Sequence, residues 1–320
     1  MKILHMDCFA KNFSDSVESI SEGMLISRFC KNLSPLVPQS PFGPGDDCAV
    51  IDKGKFFGKI LCTSDAVILG RHFLADTPAN LAGQKLLNRN ISDIASMGGF
   101  PKFAMSSCII SPKISLKWLD LFCRGLREAA EVYGVNFIGG DVTRGADDFF
   151  SMHITLLGQA QKTMLRTGAR AKDKIFVTGP LGASFESGRH LTFLPRVQEG
   201  EFLASLGIVT SCTDISDGIA SDLRDLLGAN LSAKIFADSI PIFDFPGNNL
   251  KKALCDGEDY ELLFTVDSNS DIPAFCRAFE RKFSYSPIFI GEIIGKDGGK
   301  IFVEQDTRVS ELSSKGFSHF

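Results

Sequence analysis

Apolar residues recur along the first half of the chain with helical and strand-like spacing in turn. Val17, Ile20 and Met24, with Leu25, Phe29 and Leu33 one stripe over, predict a helix over 16–33 that stops at a Pro-rich loop, 35–45. Short apolar runs at 48–51 and 59–62 predict strands, each beside acidic or hydroxyl residues. Thr77-Pro78 is a cap followed by a first-turn proline and Gly98-Gly99 is a stop, so 79–97 reads as a helix. Asp93 falls in its last turn, where the negative end of the helix dipole disfavours a carboxylate; its place there serves something other than helix stability. A strand over 103–110, an amphipathic helix over 115–133 closed by Gly134, and a short strand over 135–138 running into Gly139-Gly140-Asp141 complete the pattern before a strand at 150–160.

The polar stretch 161–173 is the best linker. Beyond it the signals read as strand 174–177, helix 218–227, strands 234–236 and 260–266, helix 272–283, and closing strands 288–293 and 301–303. Strands and helices alternate in both halves, which favours an α/β or α+β fold over an all-helical or all-β one. A chain of 320 residues with 44% hydrophobic content can fill two cores.

Bulk charge narrows the function. Net charge is −4, from 34 basic and 38 acidic residues, and no basic run with interleaved aromatics marks a nucleic-acid binder. No apolar stretch approaches the roughly 20 residues that span a bilayer, and Lys2, Asp7, Lys11 and Asp15 interrupt the first residues, so neither export nor membrane insertion is expected. Nine cysteines without a Cys-x-x-Cys pair suit reduced thiols in the cytoplasm.

The informative feature is a series of aspartates beside glycines or hydroxyls: Gly45-Asp46-Asp47, Thr63-Ser64-Asp65, Asn90-Ile91-Ser92-Asp93, Gly139-Gly140-Asp141 and Asp214-Ile215-Ser216-Asp217-Gly218. Each alone is ordinarily a turn or a helix cap. Five together, most of them after apolar strand-like runs or inside a sound helix, point to convergence at one cleft, where mutual repulsion requires cations. Hard oxygen ligands select magnesium or calcium over zinc, and the alternating calcium-loop pattern is absent. Magnesium is commonly shared with phosphates, which points to a nucleotide. Neither a P-loop nor a dinucleotide fingerprint is present; glycines at 139, 140, 145, 179 and 182 with Arg144 and Arg166 could meet phosphate instead. There is no His-Glu-x-x-His and no Gly-x-Ser-x-Gly. His72, close behind the Thr63–Asp65 cluster, is the histidine that stands out.

Taken in order with His72-Phe73, Thr178-Gly179-Pro180-Leu181-Gly182 and Gly257-Glu258-Asp259-Tyr260-Glu261-Leu262, these motifs resemble those of the thiamine-monophosphate kinases, from about residue 16 to the C-terminal Phe320. The resemblance implies a two-domain aminoimidazole-ribonucleotide synthetase-like fold of mixed sheets flanked by helices. Residues 14–162 would bind magnesium and ATP and pair in a homodimer; 163–320 would close over nucleotide and substrate. It also implies that Asp47, Thr63, Ser64, Asp65, Asp93, Asp141, Asp214 and Asp217 hold magnesium ions, with Asp65, Asp93 and Asp217 central to catalysis. Gly140, Asp141, Arg166 and Ser216 would contact ATP, and His72, Glu258 and Phe317 would contact thiamine monophosphate. The short stretch between Gly182 and His190, Phe193 in place of a common proline, and Asp256 in place of a common glycine depart from the pattern. A related synthetase, of the aminoimidazole-ribonucleotide or selenophosphate type, and a non-catalytic nucleotide- or divalent-binding module are the alternatives.

Overall fold

A computed structural model describes residues 6–40, 42–44, 48–295, 298–313 and 316. The chain divides into two compact units, Met1–Ile94 with Phe100–Gln161, and Ala95–Gly99 with Lys162–Phe320. In chain order the first carries α1 (Glu22–Leu33), β1 (Lys59–Ile68), α2 (Ala79–Ser96), β2 (Phe100–Ile110), α3 (Leu116–Tyr133), β3 (Asn136–Arg144) and β4 (Phe150–Ala160).

Helix α1 begins later than its apolar stripe predicts. Ser21 caps it, accepting the Met24 N–H at 3.4 Å. Upstream, the Ser16 and Ser19 hydroxyls donate to the carbonyls of Phe13 and Ser16 at 2.6 and 2.7 Å, and such local bonds hold short 3₁₀ turns instead of a helix. The 48–51 run is not a strand: Val50 is 51% exposed and, among the described residues, nothing pairs with its backbone to form a ladder. By contrast β1 extends well past 62 and runs through Thr63-Ser64-Asp65, because β4 pairs with it from Lys59 to Ile68. Likewise β3 continues through Gly139-Gly140-Asp141, so that motif lies inside a strand paired to β2 and not in a loop after one.

The four strands lie in the order β1-β4-β2-β3, with β2 and β3 parallel and the other pairs antiparallel. One face is apolar and packed: Leu61, Val67, Ala104, Cys108, Met152, Ile154 and Leu156 are buried. Phe73, Trp118, Phe122 and Phe150 form an aromatic cluster on that side, with Trp118 and Phe150 centroids 5.1 Å apart. The other face is open, and Ile60, Met105 and Ile109 on it are 58%, 46% and 38% exposed.

The second unit adds β5 (Lys174–Val177), α4 (Val197–Leu206), β6 (Val209–Asp214), α5 (Ile219–Leu227), β7 (Leu231–Phe236), α6 (Leu250–Cys255), β8 (Leu262–Val266), α7 (Ile272–Phe283), β9 (Ile288–Gly295), β10 (Ile301–Gln305) and β11 (Arg308–Glu311). Its sheet runs β11-β10-β7-β9-β5-β8-β6. Strand period divides two cores: Ile175 and Val177 pack with Ile215, Leu223 and Ile290, while Phe176 between them packs with Phe264, Phe275 and Phe279. Helix α4 escapes sequence patterning because Gly200 sits in its middle, yet a Cβ there would overlap the Ala95 carbonyl, so tight packing requires the glycine.

Candidate active site

Alternation along β1 sends Thr63 and Asp65 toward α2 and Ser64 to the open face, where Thr155 Oγ1 donates to its Oγ at 3.4 Å. Opposite β1, α2 presents Lys85, Arg89 and Asp93 at i, i+4 and i+8, one stripe of a helix. Asp93 Oδ2 accepts from Thr63 Oγ1 at 2.5 Å. Arg89 donates to the Ala66 carbonyl at 2.5 Å and reaches Asp65 Oδ1 at 3.3 Å, while Asn90 Oδ1 accepts the Asp65 N–H at 3.0 Å. The fully buried Lys85 donates from Nζ to the His72 carbonyl at 2.8 Å. His72 Nδ1 in turn accepts the Ile68 N–H at 3.0 Å, which places the proton of the neutral ring on Nε2. Phe73, 1% exposed in the aromatic cluster, anchors the same loop.

Thr63, Asp65 and Asp93 are therefore brought together, and Asp141 is not. Asp141 shares a register row with Ser107 on the open face, and Thr143 Oγ1 donates to its carboxylate at 2.9 Å. It lies three strand spacings from β1, about 14 Å across the sheet. Gly140 packs so tightly on Ser106 that a Cβ would overlap its carbonyl. Beside it a small pocket opens between α1 and the β2–β3 edge, walled by Phe29, Cys30, Leu33 and Phe137.

The second unit gathers its own set. Asp214 ends β6, and the segment after it is zipped to the 257–261 stretch: Glu258 donates its N–H to the Ser216 carbonyl at 2.7 Å and Tyr260 to that of Ile215 at 2.8 Å. Glu258 and Tyr260 hold left-handed backbone, φ 56° and 53°, a strain typical of functional turns. This alignment juxtaposes Ser216, Asp217 and Glu258. Asp222 on α5 accepts the Asp217 N–H at 3.0 Å. Burial and then the charge of Asp214 push the Asp222 carboxyl up to about 8. Arg166 forms an ion pair with Asp225 at 2.8 Å, both half-exposed.

Behind the 257–261 stretch lies a buried ionic network that sequence patterning missed. Arg189 pairs with Asp259, which also accepts the Gly182 N–H at 3.0 Å. Arg196 grips Glu261 with two bonds, 2.8 and 2.7 Å, and Thr178 donates to the same carboxylate at 2.6 Å. Burial pushes the Asp259 carboxyl up to about 7 against the pull of Arg189 and the Gly182 amide. The helical spacing of Lys85, Arg89 and Asp93 was the available signal for α2; nothing in the spacing of Arg189 and Asp259 announces their contact. Asp47 and Phe317 lie outside the described residues.

Among the described residues no three His, Cys, Asp or Glu side chains stand close enough to form a metal cage. The donors come as oxygen pairs, as Thr63 Oγ1 with Asp93 Oδ2. Such an oxygen set fits magnesium, which keeps several waters and completes its shell with phosphate.

Both halves have known counterparts. Residues 45–160 match the AIR synthase related protein N-terminal domain and 169–304 the corresponding C-terminal domain, which defines the class. Within it, the thiamine-monophosphate kinase of Buchnera aphidicola (subsp. Acyrthosiphon pisum) is 32% identical over 330 residues, covering 94% of this chain and 99% of that one. The Bacillus subtilis enzyme of the same name is 31% identical, covering 87% and 93%. The structure of AaThiL complexed with AMPPCP and TMP superposes with a TM-score of 0.70 at 26% identity, covering 95% and 98%. The chain belongs to the thiamine-monophosphate kinase family. Hydrogenase maturation protein HypE in complex with ATP, 17% identical over 92% of this chain and 94% of its own, shares the fold at a TM-score of 0.74.

Proposed function

We propose that this chain transfers the γ-phosphoryl group of ATP to the phosphate of thiamine monophosphate, giving thiamine diphosphate and ADP. The observation that carries this reading is the hard-oxygen group of Asp93, Thr63 and Asp65 between α2 and β1, in a chain similar over nearly its full length to thiamine-monophosphate kinases. A phosphate monoester has its second pKa near 6, so at neutral pH the acceptor is mostly a dianion and attacks without a general base. Its oxygen forms a new bond to the γ-phosphorus as the bond to the β–γ bridging oxygen breaks, and ADP departs with that electron pair.

Two polyanions must then be held in line. Thr63, Ser64, Asp65, Asp93, Asp141, Asp214 and Asp217, with Asp47, would hold the magnesium ions. Magnesium, when bound, neutralises and aligns the phosphates. Gly140, Arg166 and Ser216 would contact ATP; His72, Glu258 and Phe317 would contact thiamine monophosphate. Residues 14–162 and 163–320 would supply these two halves of the machinery. Asp141 belongs to this reading through a second copy: it lies on the open sheet face with exposed Ile60, Met105 and Ile109, the surface best suited to homodimer pairing. The cytoplasm, where ATP is available and the cysteines stay reduced, would be its place of action. Incubation with ATP, magnesium and thiamine monophosphate should yield thiamine diphosphate and ADP in equal amounts. ADP formed with inorganic phosphate and no thiamine diphosphate would overturn the assignment.

A further inference from the structure

The consecutive residues Arg189 and His190 grip the consecutive residues Asp259 and Glu258. Arg189 holds Asp259, and His190 Nδ1 lies 3.0 Å from Glu258 Oε2. The His190 side chain is 5% exposed and the Glu258 side chain 22%, so the imidazole stands behind a carboxylate that reaches the surface. The ring is stacked on Phe185, centroids 4.5 Å apart and planes 23° from parallel, and its backbone N–H donates to the Ser184 carbonyl at 3.1 Å. Ser184 also ties down Glu258 itself, Oγ donating to its carbonyl at 2.6 Å. Glu258 keeps a left-handed backbone, φ 56°, that a non-glycine residue adopts only when its surroundings enforce it. A side chain leaving such a backbone has few allowed rotamers, and a buried donor on one oxygen selects among them.

We propose that His190 is a positioning residue for substrate binding, whose Nδ1–H fixes the Glu258 carboxylate in the orientation that meets the thiamine moiety. The inference rests on the reading that Glu258 contacts thiamine monophosphate. It assigns His190 no contact with substrate and no part in phosphoryl transfer. His190 is thereby distinguished from a core histidine, which would answer only to packing.

The two amide substitutions separate these roles, because an Asn amide overlays Nδ1 of histidine and a Gln amide overlays Nε2. In His190→Gln the donor to Glu258 is lost, and KM for thiamine monophosphate should rise about tenfold, with kcat and KM for ATP within about twofold of wild type. His190→Asn should stay within about threefold throughout. Glu258→Gln should raise the same KM, and adding His190→Gln to it should raise it no further. Equal impairment by Asn and Gln, an unchanged KM in His190→Gln, or additive effects in the double variant would overturn the positioning role while leaving Glu258 as a contact. An unchanged KM in Glu258→Gln would instead remove Glu258 from the substrate site, and this role with it. Thermal melts accompany each variant; if His190→Gln does not fold, His190→Phe, which keeps the stack on Phe185, replaces it with the same expected KM.

Discussion

Asp93 sits where a helix least welcomes it, in the last turn of α2, and accepts a bond from Thr63 across to β1. Removing its charge costs the fold little and the proposed phosphate site much. Asp93→Asn and Asp65→Asn should each lower turnover at least a hundredfold at saturating magnesium while melting within a few degrees of wild type, checked by product formation and thermal scans. Asp259 makes the opposite prediction. Burial holds its folded-state pKa at about 7, above the ordinary carboxylate value, so the folded protein binds the extra proton. Its contribution to stability is full below about pH 4 and is lost as pH rises through 7. One proton changes stability by at most about 1.4 kcal/mol per pH unit. Urea midpoints measured from pH 5 to 8 should fall with pH, and Asp259→Asn should flatten that slope; an unchanged slope would mean the carboxyl stays ionised throughout.

At the level of elements, α2 works as a rail for β1 and the loop behind it. Lys85, Arg89 and Asp93 meet His72, Asp65 with Ala66, and Thr63 in turn, so one helix face sets the register of three candidate site residues. Lys85 is fully buried and bonded to a backbone carbonyl. Lys85→Met keeps the volume and strands that carbonyl, a loss of about 1–3 kcal/mol by denaturant unfolding. Because His72 rides on the same loop, KM for thiamine monophosphate should rise in this variant while KM for ATP holds.

For the whole molecule the open face of the four-stranded sheet is decisive. A sheet tolerates one solvated face when that face is polar, and this one carries Ile60, Met105 and Ile109 among its serines and threonines. If the proposed homodimer forms through this face, Ile60→Lys with Met105→Lys should convert it to a monomer by light scattering, with activity falling in parallel if Asp141 serves the partner copy. A wild-type chain that is monomeric at micromolar concentration would end the homodimer reading.

Much of the architecture was legible in the residue pattern. Helices α2, α3, α5 and α7 and strands β2, β4 and β5 follow from period and caps, since amphipathic spacing and Gly or Pro punctuation are local properties. Thr63, Asp65 and Asp93 were legible as a candidate site because hydroxyl-carboxylate clusters after apolar runs are unusual. What was not legible depends on pairing between distant segments. The extent of β1 and β3 is set by their partner strands, α4 is set by packing against Ala95, and the network of Arg189, Arg196, Asp259 and Glu261 exists only once the 178–196 segment and the 257–261 stretch lie side by side. The sequence by itself determined the class of chemistry, because donor types and their order are written in it. Only the tertiary structure decided which donors meet and which face Asp141 takes, because strand register and sheet order are long-range hydrogen-bond choices that no local spacing encodes.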